Sequence, residues 1–211
     1  VTLNPGQFAG VISGLRVHEP ADFAIEFLDD TGAVVCVTNP IRIEEAPTSR
    51  HFWGDLHGQS EETIGTGTAE AYFKFARDYA FVDITGHQGN DFQITTAFWK
   101  HLDDLCAAFN EDGKFIAIPG YEWSGNTGLG GDRNIYFPNE GRVLRRSSHA
   151  LVSDHSDIDT DCNSAAELFA AFADNDESDV VVYAHCGGRY ADIELAHDGR
   201  FEKAMEVHSS W

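Results

Sequence analysis

Apolar and polar residues alternate in short blocks through the first 46 positions. DFAIEFLD and AVVCVTNPIRI flank Asp-Thr-Gly, the pattern of two strands and a hairpin turn, and Pro20, Pro40 and Pro47 punctuate the stretch. Residues 1–48 are therefore expected to form a small β appendage. After Ser49 the rhythm changes. FWGDLHG, FVDITGH, KFIAIPGYEW, DVVVYAHCGG and KAMEVHSSW read as five near-continuous apolar strands. Between them, TAEAYFKFARDYA carries apolar residues at 72, 75, 76 and 79, and ITTAFWKHLDDLCAAFN at 94, 97, 98, 102, 105, 106 and 109, both helical stripes. SAAELFAAFA is a third helix, opened by a Ser164/Glu167 capping box. An irregular Gly- and Ser-rich insertion covers about 125–163. Buried strands alternating with amphipathic helices predict an α/β fold with a parallel sheet or barrel over 49–211.

Chemistry in such folds gathers at the carboxyl ends of the strands. The first strand ends in Asp55, His57 and Gln59, which alternation places on one face. The second ends in His87, with Asn90 and Asp91 just after; the third in Glu122; the fourth in His185; the fifth in Glu206 and His208. One histidine at a strand end is an ordinary structural feature. Five successive ends bearing imidazole or carboxylate need a common partner, because an unpaired buried polar group costs about 2–7 kcal/mol. A divalent cation satisfies several at once. Histidine and carboxylate with little cysteine suit Zn, Mn or Fe.

Composition narrows the partners. The chain has 14 basic and 35 acidic residues, a formal net charge of −21, which repels nucleic-acid backbones and anionic membranes. The four cysteines lie far apart with no CxxC pair, which favours a reducing, cytoplasmic setting over a disulfide framework. No apolar run reaches the roughly 18 residues of a membrane span, and the start carries no signal-peptide pattern, although the chain begins at Val1 rather than Met.

The ordered set D-L-H-x-x-S, a strand ending in His, P-G-Y-E-W, and a strand ending A-H resembles the PHP (polymerase and histidinol phosphatase) superfamily. GDLHGQSEETIGTGT, GHQGNDFQ, PGYEWSGNTGLGGDRNIYF and the R-S-S-H sequence resemble its branch known as domain of unknown function 3604. The resemblance covers about 50–211. It implies a distorted (β/α) barrel of about seven strands, five of them here, with two or three divalent ions (Zn, Mn or Fe) at its carboxyl rim. It also implies hydrolysis of small phosphate esters. By position, His57, His87, Glu122 and His185 match metal ligands, Glu122 as the bridge between ions. Gln59 stands where a second histidine is usual, Gly86 where many relatives have Asp, and Asp132 about where a histidine is usual. Gln59, Asp132 and His208 complete the expected metal set. No late D-x-H motif follows Trp211, so the chain is expected to be part of a longer polypeptide that supplies the remaining strands.

The expected chemistry is attack by a metal-activated water on an ester. Arg133, Arg145 or Arg146 could neutralise developing charge, weighed against a purely structural ion pair for Arg133 and a solvated position for Arg145 and Arg146. Asp55 either ligates a metal or orients His57. His149 and His155 line a substrate pocket or lie on the surface, and Asn126 and Asn134 bind substrate or, the simpler reading, make turns. Two other classes share this rim: an amidohydrolase-like enzyme acting on C–N or carboxyl ester bonds, and a metal-binding module without turnover.

Overall fold

A computed structural model describes residues 4–209, and the chain divides into two units, Val1–His51 and Phe52–Trp211. In the first, β1 (Ala21–Phe23), β2 (Glu26–Leu28), β3 (Val34–Val37) and β4 (Ile41–Ile43) make two antiparallel ladders, β1 with β4 and β2 with β3. The Asp-Thr-Gly signal forms the turn between β2 and β3. The Asp29 carboxylate accepts the Thr31 N–H at 2.8 Å and the Ala33 N–H at 3.0 Å, and Gly32 takes the left-handed region at φ 83°. No described residue of this unit is buried, so ladder bonds and turn chemistry hold it rather than a core.

In the second unit, β5 (Gly54–Gly58), β6 (Ile84–His87) and β7 (Ile116–Ile118) form a parallel sheet, joined through α1 (Ala69–Asp78) and α2 (Thr96–Phe109). β8 (Gly120–Trp123), β9 (Arg133–Tyr136), β10 (Val181–Ala184) and β11 (Glu202–Met205) form a second sheet in that order, with α3 (Ala165–Asp174) leading into β10. Each helix begins where a side chain satisfies an orphan N–H. Thr68 accepts Ala71 N–H, Thr95 accepts Phe98 N–H, and Ser164 accepts Glu167 N–H. Only half of the expected capping box closes, because Glu167 accepts from Asn163 N–H at 2.7 Å instead of reaching Ser164. One aromatic-rich core serves the unit, with Phe73, Leu102, Tyr121, Trp123, Phe137, Leu168, Phe172 and Phe201 fully buried.

The expected barrel is not what the chain builds. In the second unit the strands form two open sheets, and no closed barrel is found among the described residues. Two local causes stand out. KFIAIPGYEW does not run as one strand: Pro119 has no N–H for a ladder and divides it into β7 and β8, which belong to different sheets. The insertion then supplies β9, which returns antiparallel to β8 and β10, so only β10 and β11 are parallel in the second sheet. A Gly130-Gly131 pair with φ 116° and 75° turns the chain into β9.

Two finer expectations also change. The buried face of α1 is Ala69, Phe73 and Ala76, while Phe75 and Tyr79 are exposed. Apolar residues occur on both sides of this helix, so spacing alone fixes no single face. Arg145 and Arg146 are buried rather than solvated. Arg145 Nη1 is 2.9 Å from Glu177, and Arg146 donates to Ile94 O at 3.0 Å and Asp157 at 2.8 Å. His149 bridges Asp161 at 2.6 Å and Asp157 at 3.0 Å. The insertion is thus packed by a charge network, not a loose loop.

The two sheets meet at one point that matters for the site. Glu122 N–H of β8 donates to Gly89 O, just past β6, at 3.0 Å, an isolated parallel bridge between Asn90 and Glu122. At the far edge, Glu206 N–H, just past β11, donates to Ala184 O at 3.0 Å. These contacts gather the strand ends.

Candidate metal centre

His57 is borne by β5, Glu122 by β8 and Asn134 by β9, while His185 and Glu206 follow directly on β10 and β11. The backbone bonds just described bring all five together. Glu206 Oε1 lies 2.6 Å from His57 Nδ1 and accepts Asn134 Nδ2–H at 2.6 Å. Its Oε2 lies 3.6 Å from His185 Nε2. His57 Nε2 lies 3.4 Å from Glu122 Oε2, and the two imidazoles cross edge to face at 5.0 Å. One ligand atom each from His57, His185 and Glu206 lies within 4.8 Å of the others. His185 Nδ1 lies 2.8 Å from Gly187 O and 3.0 Å from Gly187 N; a proton on Nδ1 directed to the carbonyl would leave the Nε2 lone pair facing Glu206.

Asp132 is buried beside Glu122, and burial, then the Glu122 charge, pushes its carboxyl up to about 8. Burial works against charge on His57, yet hydrogen bonds to Glu122 and Glu206 overcome it and raise the imidazole to about 9. Burial opposes charge on Glu206 as well, but His57 holds its carboxyl below the usual range. Three buried acceptor atoms here, Asp132 Oδ1, Asn134 Oδ1 and Glu206 Oε2, have no hydrogen-bond donor within the chain. Asp132 Oδ1 does lie 3.3 Å from Arg189 Nε, but the N–H is not aimed at it, so the contact is one of charge alone.

Of the residues expected from the sequence, His57, Glu122 and His185 come together, with Asp132 adjoining. His87 does not join them. It is fully buried between Tyr72 and Phe98, its Nδ1 accepts Gly89 N–H at 3.2 Å, and its Nε2 donates to Ser60 Oγ at 2.8 Å. Burial depresses it to about 4, so it is a neutral core histidine with both nitrogens engaged. Gln59 is also occupied: its oxygen accepts Thr63 Oγ–H at 2.7 Å and its amide donates to Asn90 at 3.3 Å. Asp55 is exposed and accepts His57 N–H at 3.1 Å, fixing the turn of the strand end. His208 is exposed at the cleft rim, and Glu206 holds the place in the cluster. Arg133 is a structural residue: its side chain has no exposure, lies 2.7 Å from Glu202 and donates to Ala196 O at 2.8 Å and Gly131 O at 3.0 Å. Asn134, read from sequence as a turn residue, is a buried strand residue of the cluster. The Glu206/His208 alternation signalled that one of the pair faces inward, without saying which.

The cluster opens onto a cleft of about 830 Å³ lined by β5 on one side and by Met205, Glu206 and Val207 on the other, with Tyr136 and Tyr183 at its base. No described helix is long and apolar enough to cross a membrane.

The pH dependence follows from two of these groups. His57 has a folded pKa above its unfolded 6.5, so its stabilisation is full below 6.5 and is lost as pH rises through about 9. Asp132, folded at about 8 against 3.8 unfolded, likewise takes stability away as pH rises across that interval. Chelator-treated protein is expected to melt at progressively lower temperature from pH 6.5 to 9, and zinc-supplemented protein to lose much less. Parallel melting curves under the two conditions would contradict the assignment.

The second unit, two small open sheets with three α-helices, carries a His/carboxylate cluster at converging strand ends, of a composition that fits a divalent cation. The chain belongs to the family described as protein of unknown function (DUF3604), whose model matches residues 13–188. It is similar to an uncharacterized protein of Chlamydia pneumoniae, 22% identical over 203 residues covering 95% of this chain and 31% of the relative. It is also similar to an uncharacterized protein of Chlamydia trachomatis, 26% identical over 115 residues covering 54% of this chain and 18% of that protein. The chain spans about a third of the length of the Chlamydia pneumoniae relative.

Proposed function

We propose that this chain carries the site of a metal-dependent hydrolase acting on small phosphate esters, allied to the PHP superfamily by the order of its motifs. The observation that carries the reading is the group of unpartnered acceptors. Asp132, Asn134 and Glu206 each leave a buried oxygen without a donor beside two histidines and Glu122. Each such atom costs about 1–3 kcal/mol, and a divalent cation (Zn, Mn or Fe) relieves them together. His57, His185 and Glu206 would hold one ion, and Glu122 with Asp132 offers carboxylates for a second. A cation bound there supplies Lewis acidity toward a substrate oxygen or an attacking water. Asn134 and Gly187 orient Glu206 and His185, and Asp55 fixes the strand end that carries His57. Tyr136 and Tyr183 line the same cleft.

The test is a substrate panel on protein loaded in turn with zinc, manganese or iron: p-nitrophenyl phosphate, bis-p-nitrophenyl phosphate and p-nitrophenyl acetate. Metal-dependent release from a phosphate ester, abolished in His57→Ala, is the expected result. Turnover of the acetate alone would favour the amidohydrolase-like reading. Stoichiometric metal with no turnover would favour a binding module.

A further inference from the structure

A second cavity, of about 240 Å³, adjoins the cluster through one residue, Arg189. At about 30 Å³ per water this is room for roughly eight waters, enough for a small organic group. Its floor is rigid. Asp91, fully buried, accepts Ser124 N–H at 3.2 Å and Ser147 Oγ–H at 3.1 Å as well as Ser147 N–H, and Asn163 donates to Ser147 O at 2.9 Å. These bonds spend the hydroxyl and amide groups of the floor on each other.

Arg189 is held at the mouth by its own backbone. Asp132 N–H donates to Arg189 O at 2.8 Å and Asp192 N–H to Gly130 O at 2.8 Å, so the segment is latched onto the Gly130–Gly131 turn. Only glycine permits that approach, since a Cβ at Gly131 would lie 2.0 Å from Tyr190 O. The guanidinium carbon lies 5.5 Å from the centre of the Phe92 ring, a cation–π contact. Nε faces Asp132 at 3.3 Å, and among the described residues neither Nη makes a hydrogen bond. Arg189 therefore presents two unspent Nη groups to the cavity, whose lining it shares with Asn126.

We propose that this cavity binds a compact, polar, anionic group, a small hydroxy-carboxylate in type, with Arg189 as the residue that selects it. Resting on the hydrolase reading, the group is the leaving portion of the ester whose phosphoryl end lies at the cluster. An anion fits because the charged group free to meet a ligand is the Arg189 guanidinium, joined by the Asn126 amide and the Ser148 hydroxyl. A small one fits because the cavity holds about 240 Å³.

The probe is glycerate, with glycerol as its uncharged counterpart, titrated calorimetrically into zinc-loaded full chain whose zinc content is measured in the same sample. Glycerate is expected to bind and glycerol not. Arg189→Met should weaken glycerate by about tenfold or more, as for loss of a charged hydrogen bond. Arg189→Lys should retain part of the affinity, and Asn126→Ala should weaken it less. Zinc content should stay at the wild-type level in all three variants. Equal glycerate affinity in wild type and Arg189→Met, glycerol binding as tight as glycerate, or no glycerate binding at all would overturn the proposal. Arginine-dependent glycerate binding by a chain that takes up no zinc would uphold the cavity and count against the hydrolase reading alone.

Discussion

Glu206→Gln is expected to lower zinc affinity by about a hundredfold or more, beyond the 10–100-fold typical of losing a residue that merely orients a ligand. Glu206 contributes in three directions at once. It meets His57 Nδ1 at 2.6 Å, accepts from Asn134 at 2.6 Å, and turns Oε2 toward His185 at 3.6 Å. Glutamine keeps the size but removes the charge and points an NH2 group at donors or at a cation. His208→Ala, two residues on, removes an exposed imidazole outside the cluster and is expected to leave affinity within about twofold. Elemental analysis and chelator competition on both variants decide between them. Loss in His208→Ala with retention in Glu206→Gln would show that the inward-facing residue is the histidine.

The largest loss of stability is expected from Arg133→Met. Arg133 and Glu202 are an ion pair with almost no exposure, and removing the cation leaves a carboxylate buried without its main partner. The N–H is not aimed along the 2.7 Å Nε–Oε1 contact, so charge rather than hydrogen bonding holds that end, while the Nη groups tie down Gly130, Gly131 and Ala196 carbonyls. Breaking such a pair typically costs about 3–5 kcal/mol, and a chemical denaturation curve should show it. The double variant Arg133→Met with Glu202→Leu should recover a large part of that loss, since two apolar groups bury without charge. A single variant within about 1 kcal/mol of wild type would mean that the pair is offset by its own desolvation. Zinc uptake in a folded Arg133→Met protein is expected to persist, which separates this residue from the chemistry assigned to it by sequence.

How much could be read beforehand differs from element to element. The strand ends were legible because β5, β6, β8 and β10 carry apolar runs ending in His or Glu, and His57, Glu122 and His185 do converge. The barrel was read from those same runs, and β9 defeats it. Arg133 and Asn134 give that strand a polar look, and it lies in a Gly- and Ser-rich stretch, so neither period nor propensity announces it. Its charged residue is buried because Glu202, 69 positions away, supplies the opposite charge. Long-range pairing of this kind has no local trace. The same holds for Arg145 and Arg146, whose partners Glu177 and Asp157 become neighbours only after folding. His87 shows the converse: its position at a strand end was legible, but the Ser60 hydroxyl and the two aromatic rings that make it a core residue were not.

One buried residue offers a gauge that needs no label. Trp123 follows Glu122 directly, has no exposed surface, and donates its indole N–H to Cys162 O at 3.0 Å. Trp99 is nearly as enclosed, whereas Trp53 is 75% exposed and Trp211 lies outside the described residues. Indole emission shifts to longer wavelength as surrounding water relaxes about the excited state, so Trp123 and Trp99 should glow at the blue edge and Trp53 at the red. Among the three described tryptophans, iodide in solution reaches Trp53. With iodide present, the remaining light comes from the enclosed Trp99 and Trp123 rings, and a change in it during a zinc titration that is lost in Trp123→Phe would report binding beside Glu122.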